Sequence, residues 1–563
     1  MSAAPSKTGR SAVAERGKRA ASTPPASPAA PSRVFKILVA TRLQEPGLAY
    51  LRERPGLEVV VLPSPGREEF LQALEDADAL IVRSLPRVDA EALARAPRLK
   101  VIGRAGMGVD NIDMEHATQQ GVLVVNAPRD NIDSAAEHTL ALLLALVRRI
   151  PPADATLKAG RWEKDLLGRE LRGRLLGVVG LGKVGLRVAR MAQGFEMRVI
   201  AYDPYVAAEQ FRQAGVQQAA SLEDLLRESD VVSLHVPRLP GASAILDRPR
   251  LDLMKPGAIL LNTARGALVD EAALVDALAS GRLWGAGLDV WPEEPSAGTA
   301  LQRLPNVVAT PHIGASTAEA QERVSATIAA QVWKALAEQP VDFPVNLPYV
   351  EAELASRLQP YLALAEKMGA FLAQMSAGSP RGLELVYGGE LAEMGVDRVR
   401  AAVLKGLLAR TTDENVNFVN AEVLAAERGL QVRERRDPVR ASYVSTLQAR
   451  LEFGEEAASV TGTVFDGERP RIVDVDGFEM EFPIEEEHQH LLLMRWWDRP
   501  GMLGRVGTLL GEAGVNIAQL ELARRLAGGR ALAVISTDTL VPSDVVARLS
   551  SLENVTGVRT VRL

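Results

Sequence analysis

"LLGVVGLGKVGLRVARMAQGFEMRVIAYDPY", Leu175 to Tyr205, decides the fold of this chain. It opens on an apolar run, turns through glycines, continues in a helical pattern and closes on a second apolar run ending at Asp203. Gly180, Gly182 and Gly185 form G-x-G-x-x-G, and Asp203 follows Gly185 by 18 residues. A lone G-x-G-x-x-G is weak evidence. Strand before, helix after and an acid at the end of the next strand make it a dinucleotide fingerprint. Gly180 allows the tight turn, Gly182 lets a pyrophosphate reach the backbone, and Gly185 lets helix and strand pack closely. Lys183 and Val184 complete the turn, where free N–H groups and the helix dipole suit phosphates. Asp203 accepts hydrogen bonds from ribose hydroxyls and repels a 2′-phosphate, so the expected cofactor is NAD.

Outward from this unit, β-branched apolar runs alternate with helical patterns. "FKILVAT", "LEVVVLP", "DALIVRS", "LKVIGRAG" and "VLVVNAP" precede it, and "DVVSLHV", "AILLNTA", "GAGLDVW" and "NVVATPH" follow. Such runs predict parallel strands buried on both faces, in an α/β fold of two doubly wound sheets. Between the series, "SAAEHTLALLLALVRRI" predicts a helix capped by Ser134 with Glu137 three residues on. After His312, "STAEAQERVSATIAAQVWKALAEQ" predicts one long helix, and "PVDFPVNLP" a domain exit. Residues from about 350 to 485 mix helix and strand without a catalytic pattern, and the end reads β-α-β-β-α-β, a small α+β domain.

The chain has 563 residues, enough for roughly three or four domains. Net charge is −6, so no overall basic field attracts nucleic acid. No cysteine is present, which excludes disulfides, thiolate zinc sites and thiol catalysis and fits a reducing, cytoplasmic setting. The longest purely apolar run, "LALLLALV", is far short of the roughly 20 residues a spanning helix needs, so no membrane partner is expected. Residues 1–34 are dominated by Ala, Ser, Pro, Lys and Arg and are expected to be a disordered tail. That composition also resembles a transit peptide, which the proline-rich half suits poorly.

Without cysteine, acid–base work falls to other side chains. Of the six histidines, His116 and His138 read as structural, and His235 ends a strand beside the cofactor cleft. His488 and His490 lie in an acidic linker, and no metal is expected. His312 follows a buried strand, where open α/β sheets bind ligands. Arg265 and Glu294 follow two other strands of the same sheet. The three suit oxidation of a 2-hydroxy acid. Arg265 grips a carboxylate, His312 takes the hydroxyl proton, and Glu294 pairs with the imidazole. Each alone is also an ordinary loop residue; their joint order beside the fingerprint argues for a site.

With "GRAGMGVDNID", "LLNTARGALVDE", "GLDVWPEEP" and "TPHIGAST", the sequence resembles the D-isomer-specific 2-hydroxyacid dehydrogenase family from Phe35 to Leu563. "VNAEVLAAERGL" and the terminal segment resemble the branch with an intervening domain and an ACT domain. The resemblance implies a flavodoxin-like substrate domain at 35–128, a Rossmann NAD domain at 129–314 and a return helix at 315–346. It further implies an intervening domain at 347–487 and an ACT domain at 488–563. It implies catalytic roles for Arg265, Glu294 and His312, and oxidation of 3-phosphoglycerate at the head of L-serine biosynthesis. Thr263, Ala264, Asp289, Ile313, Gly314 and Ala315 are implied at the nicotinamide end, Val236 beside the cofactor, and Arg83, Arg104 and Lys164 at the substrate. Lys164 would come from a partner subunit, which implies a homodimer or homotetramer. Met107 and Val236 depart from the family's usual Thr, and Arg238 from its usual Leu. Another D-2-hydroxyacid dehydrogenase, acting on glyoxylate or a longer keto acid, and an NAD-sensing scaffold are the alternative readings.

"RWWDRPGMLGRVGTLLGEAGVNIAQ", Arg495 to Gln519, has no G-x-G-x-x-G and is no second dinucleotide site. The resemblance places Asp498 and Asn516 where an effector, L-serine, is bound. Trp496 stands where relatives carry a polar His or Tyr, which implies serine binding weakened, altered or lost, the last leaving a structural or dimerising ACT domain. Arg433, Arg435, Arg436 and Arg440 form a basic run expected to be a solvated face.

Overall fold

The computed structural model describes residues 33–238, 241–296, 298–375, 378–412, 414–438, 443–484 and 490–563. Nearly all of the expected tail, together with Arg440 and His488, lies outside them.

The first sheet is parallel, with β1 (Phe35–Val39), β2 (Leu57–Val61), β3 (Ala79–Val82), β4 (Val101–Arg104) and β5 (Leu123–Asn126) in the order β2-β1-β3-β4-β5. All four residues of β3 are buried, as a strand covered on both faces requires. Phe70, Leu71 and Leu74 cover one face. The helix Ala318–Leu336, which follows the second sheet in sequence, returns to cover the other with Val324, Ile328 and Val332. Gly103 permits that approach, because a Cβ there would lie 2.6 Å from Val332 Cγ2.

The second sheet is also parallel and holds the fingerprint. Its strands are β6 (Leu175–Val179), β7 (Arg198–Tyr202), β8 (Gln217–Gln218), β9 (Val231–Leu234), β10 (Ile259–Asn262), β11 (Gly285–Leu288) and β12 (Val307–Ala309). They run β12-β11-β10-β9-β6-β7-β8, so the order reverses beside β6. That switch point opens a crevice at the strands' carboxyl ends. The helix Ile132–Val147 crosses from the first sheet to the second. It begins two residues before Ser134, which lies inside it. The Ser134 hydroxyl bonds Thr317 Oγ1 at 2.8 Å instead of capping. A tertiary partner at the second chain crossing has taken the hydroxyl that the local pattern assigned to a cap.

The third sheet is mixed: β13 (Gly382–Gly389), β14 (Gln431–Asp437), β15 (Ser445–Phe453), β16 (Glu456–Phe465), β17 (Arg469–Val475) and β18 (Phe478–Pro483), ordered β14-β13-β15-β16-β17-β18. Helices Ala352–Met375 and Asp397–Leu408 join it in one core. Its edge strand β14 carries Arg433, Arg435 and Arg436 in the open, and Arg433 pairs with Glu452. The fourth sheet is antiparallel: β19 (His490–Trp497), β20 (Ile517–Arg524), β21 (Arg530–Thr537) and β22 (Val555–Arg562), ordered β20-β21-β19-β22. Period-2 alternation along β19 explains its unbroken apolar run. Leu492, Met494 and Trp496 face the helices Met502–Glu512 and Ser543–Ser550, while Leu491 and Leu493 enter the third sheet's core. Trp496 is therefore core, 2% exposed, rather than a ligand contact replacing a polar one.

Candidate active site

The glycine turn has the backbone its sequence calls for. Gly180 has φ 92°, and a Cβ there would strike His235 and Val236. At Gly185 a Cβ would lie 2.0 Å from the Gly180 carbonyl oxygen. At Gly182, which precedes the helix Lys183–Gly194, a Cβ would meet no protein atom within 4 Å. Two glycines are thus required by the protein's own packing, and the middle one opens onto free space at a helix N-terminus. That arrangement fits a pyrophosphate. Asp203 accepts from Leu181 N–H and Tyr205 N–H, both at 2.9 Å, and so braces the turn from the end of β7. His235, after β9, bonds Ser233 Oγ at 2.8 Å, and burial pulls its pKa down to about 4.

Three more strands of this sheet end at the crevice. At the end of β10, buried Asn262 accepts from Ala264 N–H and donates to the Arg265 carbonyl, fixing the turn that aims Arg265. Thr263 is tied to Thr139 of the crossing helix. After β11, Glu294 Oε1 accepts from Trp291 N–H at 3.1 Å, and its Oε2 meets His312 Nδ1 at 2.6 Å. Burial works to raise the Glu294 carboxyl, but hydrogen bonds from His312 and Trp291, with the Arg265 charge, hold it below its ordinary value. An ionised carboxylate only accepts, so Nδ1 carries the hydrogen and Nε2 of the neutral ring is left with its lone pair. After β12, His312 has φ 55°, and Ile313, Gly314 and Ala315 continue the turn.

The first sheet supplies the facing wall. Arg265 Nε reaches across to Asp110 Oδ2 at 2.9 Å. Gly108 leaves room for it, since a Cβ there would sit 1.8 Å from Arg265 Nη2. Gly106 does the same for Arg104. Burial, then the like charges of Arg265 and Arg83, pull Arg104 down to about 10, and its buried Nε has no partner among the described residues. Arg83 donates to Ser316 at 3.3 Å. Three guanidinium groups and one carboxylate make a cluster in need of an anion. Lys164 is exposed on the surface of this chain. Asp498 and Asn516 lie in the fourth sheet's domain, with separate partners. Arg524 meets Asp498 at 2.6 Å, and Asn516 donates to Asp538 at 2.7 Å.

Comparison with known proteins follows this architecture. Residues 140–314 match the NAD binding domain of the D-isomer specific 2-hydroxyacid dehydrogenases, and 357–476 match the D-3-phosphoglycerate dehydrogenase intervening domain. Residues 498–554 match the ACT domain. The D-3-phosphoglycerate dehydrogenase of Methanocaldococcus jannaschii is 40% identical over 94% of this chain and 100% of its own. The chain belongs to the D-3-phosphoglycerate dehydrogenase family. It is an NAD-dependent oxidoreductase. The Mycobacterium tuberculosis member is 41% identical over 90% of this chain and 96% of its own. Among solved structures, the TT0316 protein of Thermus thermophilus is 42% identical with TM-score 0.52, covering 55% of this chain and 100% of that one. A glyoxylate reductase from Paecilomyes thermophila is 28% identical with TM-score 0.51, covering 55% and 98%.

Several residues at the dehydrogenase's crevice carry no chemical signal in the sequence. Asp110 and Trp291 are visible only through their partners. Asp289, expected at the nicotinamide end, is 1% exposed and turns both oxygens toward the His312 turn. His138 reads as helix core, yet its ring reaches that same turn.

Proposed function

We propose that this chain oxidises 3-phospho-D-glycerate to 3-phosphooxypyruvate, the first step of phosphorylated L-serine biosynthesis. The observation that carries this is the 2.6 Å contact of His312 with Glu294 beside the cluster of Arg265, Arg104 and Arg83. Arg265 holds the substrate carboxylate. Arg104 and Arg83 hold the phosphate end from the opposite wall, joined by Lys164 of a partner subunit in a homodimer or homotetramer. Exposed Ile150, Leu157, Trp162 and Leu167 support such a contact. NAD, when bound, supplies the acceptor for the hydride leaving C2. His312 Nε2 takes the C2 hydroxyl proton as that hydride departs, and Glu294 steadies the imidazolium through Nδ1. Gly180, Gly182, Lys183, Val184, Gly185 and Asp203 hold the adenine and phosphate half of NAD. Val236, Thr263, Ala264, Arg265, Asp289, His312, Ile313, Gly314 and Ala315 border its nicotinamide half.

The setting is the cytoplasm, and the chain divides into a substrate domain at 35–128 with its return helix at 315–346, an NAD domain at 129–314, an intervening domain at 347–487 and an ACT domain at 488–563. L-serine is the effector, held at Asp498 and Asn516. Its ammonium must replace Arg524 at Asp498. NADH formation tests the catalytic reading. Wild type turns over 3-phosphoglycerate well and glycerate poorly, and His312→Ala loses roughly 10²–10⁴-fold in kcat while NAD binding persists. Equal rates on the two substrates remove the phosphate assignment, and normal turnover by His312→Ala removes the base.

A further inference from the structure

We infer that His138, on the crossing helix Ile132–Val147, is a positioning residue for the turn that carries His312; its catalytic consequence rests on the dehydrogenase reading above. The ring's Nε2 lies 3.0 Å from Thr310 Oγ1 and 3.2 Å from Asp289 Oδ1. The Thr310 hydroxyl donates to Asp289 Oδ1 at 2.6 Å. A hydroxyl has one hydrogen, so the Thr310 oxygen accepts from His138, and Nε2 carries a hydrogen. Asp289 also accepts from the N–H groups of Ile313 and Gly314, each at 2.8 Å.

Those two amides directly follow His312 in the chain. With φ 55°, His312 is in the left-handed region, which costs a non-glycine residue on the order of 1–3 kcal/mol unless its surroundings impose it. Asp289 imposes it by gathering the next two amides onto one buried carboxylate. Burial works to raise that carboxyl, but His138, Thr310 and the two amides hold it below its ordinary value. From the other side, the Trp291 indole donates to the Thr310 carbonyl at 3.1 Å. His138 is the member of this cage that belongs to the crossing helix. That helix is also tied to the second crossing through Ser134 and Thr317. His138 therefore links the chain crossings to the orientation of the base.

The test uses the full chain. His138→Leu removes the N–H and keeps a side chain of similar bulk; His138→Gln restores a donor at comparable reach. In His138→Leu, amide hydrogen exchange at Ile313 and Gly314 speeds up. Its kcat falls roughly ten-fold or more, while KM for NAD and for 3-phosphoglycerate stays within about two-fold. His138→Gln recovers most of both. Unchanged exchange and kcat in His138→Leu overturn the inference, as does equal loss in both variants, which marks a packing residue only. Should His138→Leu fail to fold, Thr310→Val breaks the same link, and unchanged exchange there overturns it equally. Exchange needs no turnover. A wild type inactive on 3-phosphoglycerate thus sinks the functional reading and leaves this comparison standing.

Discussion

Both carboxylate oxygens of Asp289 face the backbone that follows His312, at a side chain with 1% exposure. Its pKa is depressed from the ordinary 3.8. A depressed carboxylate contributes stability that is fully present above its unfolded value and is lost as pH falls through its folded value. Asp289→Asn keeps the shape and removes the charge, leaving donors facing donors. It should cost about 2–4 kcal/mol at pH 7. Thermal midpoints measured from pH 7 downward should converge for the two proteins once pH passes below about 4. A gap that stays constant to pH 3 would mean that the charge is not what Asp289 contributes. The sequence announced Arg265, Glu294 and His312 because each follows a strand of one sheet. Asp289 also follows such a strand, but its buried, backbone-directed role depends on atoms 21 to 25 residues away in the chain.

Among elements, the glycine turn separates what the fold needs from what the ligand needs. At Gly185 an added Cβ meets the Gly180 carbonyl at 2.0 Å, so the helix Lys183–Gly194 must move away from β6. Gly185→Ala should destabilise by about 1–3 kcal/mol. At Gly182 an added Cβ meets no atom of the described residues within 4 Å. Gly182→Ala should leave the thermal midpoint unchanged and raise the NAD Kd roughly ten-fold, about 1.4 kcal/mol. A stability loss at Gly182 equal to that at Gly185, or undiminished NAD affinity, would refute the division of labour. This element was legible in advance because its turn, helix entry and terminal acid are local in sequence. The start of the crossing helix was not, because the Ser134 hydroxyl is claimed by Thr317, 183 residues away.

For the whole molecule, the first sheet depends on chain that returns after the second. Val345 N–H bonds the Val124 carbonyl at 2.8 Å, and Asn346 bonds both Val124 N–H and the Val122 carbonyl. A chain ended after Pro348 keeps these contacts, and one ended before Asp342 loses them. The Thermus protein, over its whole length, matches 55% of this chain. The longer truncation should oxidise 3-phosphoglycerate and release no heat with millimolar L-serine. The full chain should release heat. Heat from the truncated chain would move the effector site off the ACT domain, and an inactive truncation would make the intervening domain part of catalysis. That domain does touch the first. Asn417 donates to the Gly121 carbonyl at 2.8 Å, on the turn between the helix Met114–Gln119 and β5.

Residue order alone carried the two α/β sheets, the small closing α+β unit, the dinucleotide turn and the three residues proposed for the chemistry. Each of these is written in local spacing, in a periodicity of 2 or 3.6, or in position after a strand. Packing in three dimensions makes Trp496 core, brings Asp110 to Arg265 across the crevice, and sets His138 and Asp289 on the His312 turn. These facts depend on which side chains the sheet order and the crossing helix bring together. A hydrogen bond between residues 155 or 172 positions apart leaves no periodic trace in the chain.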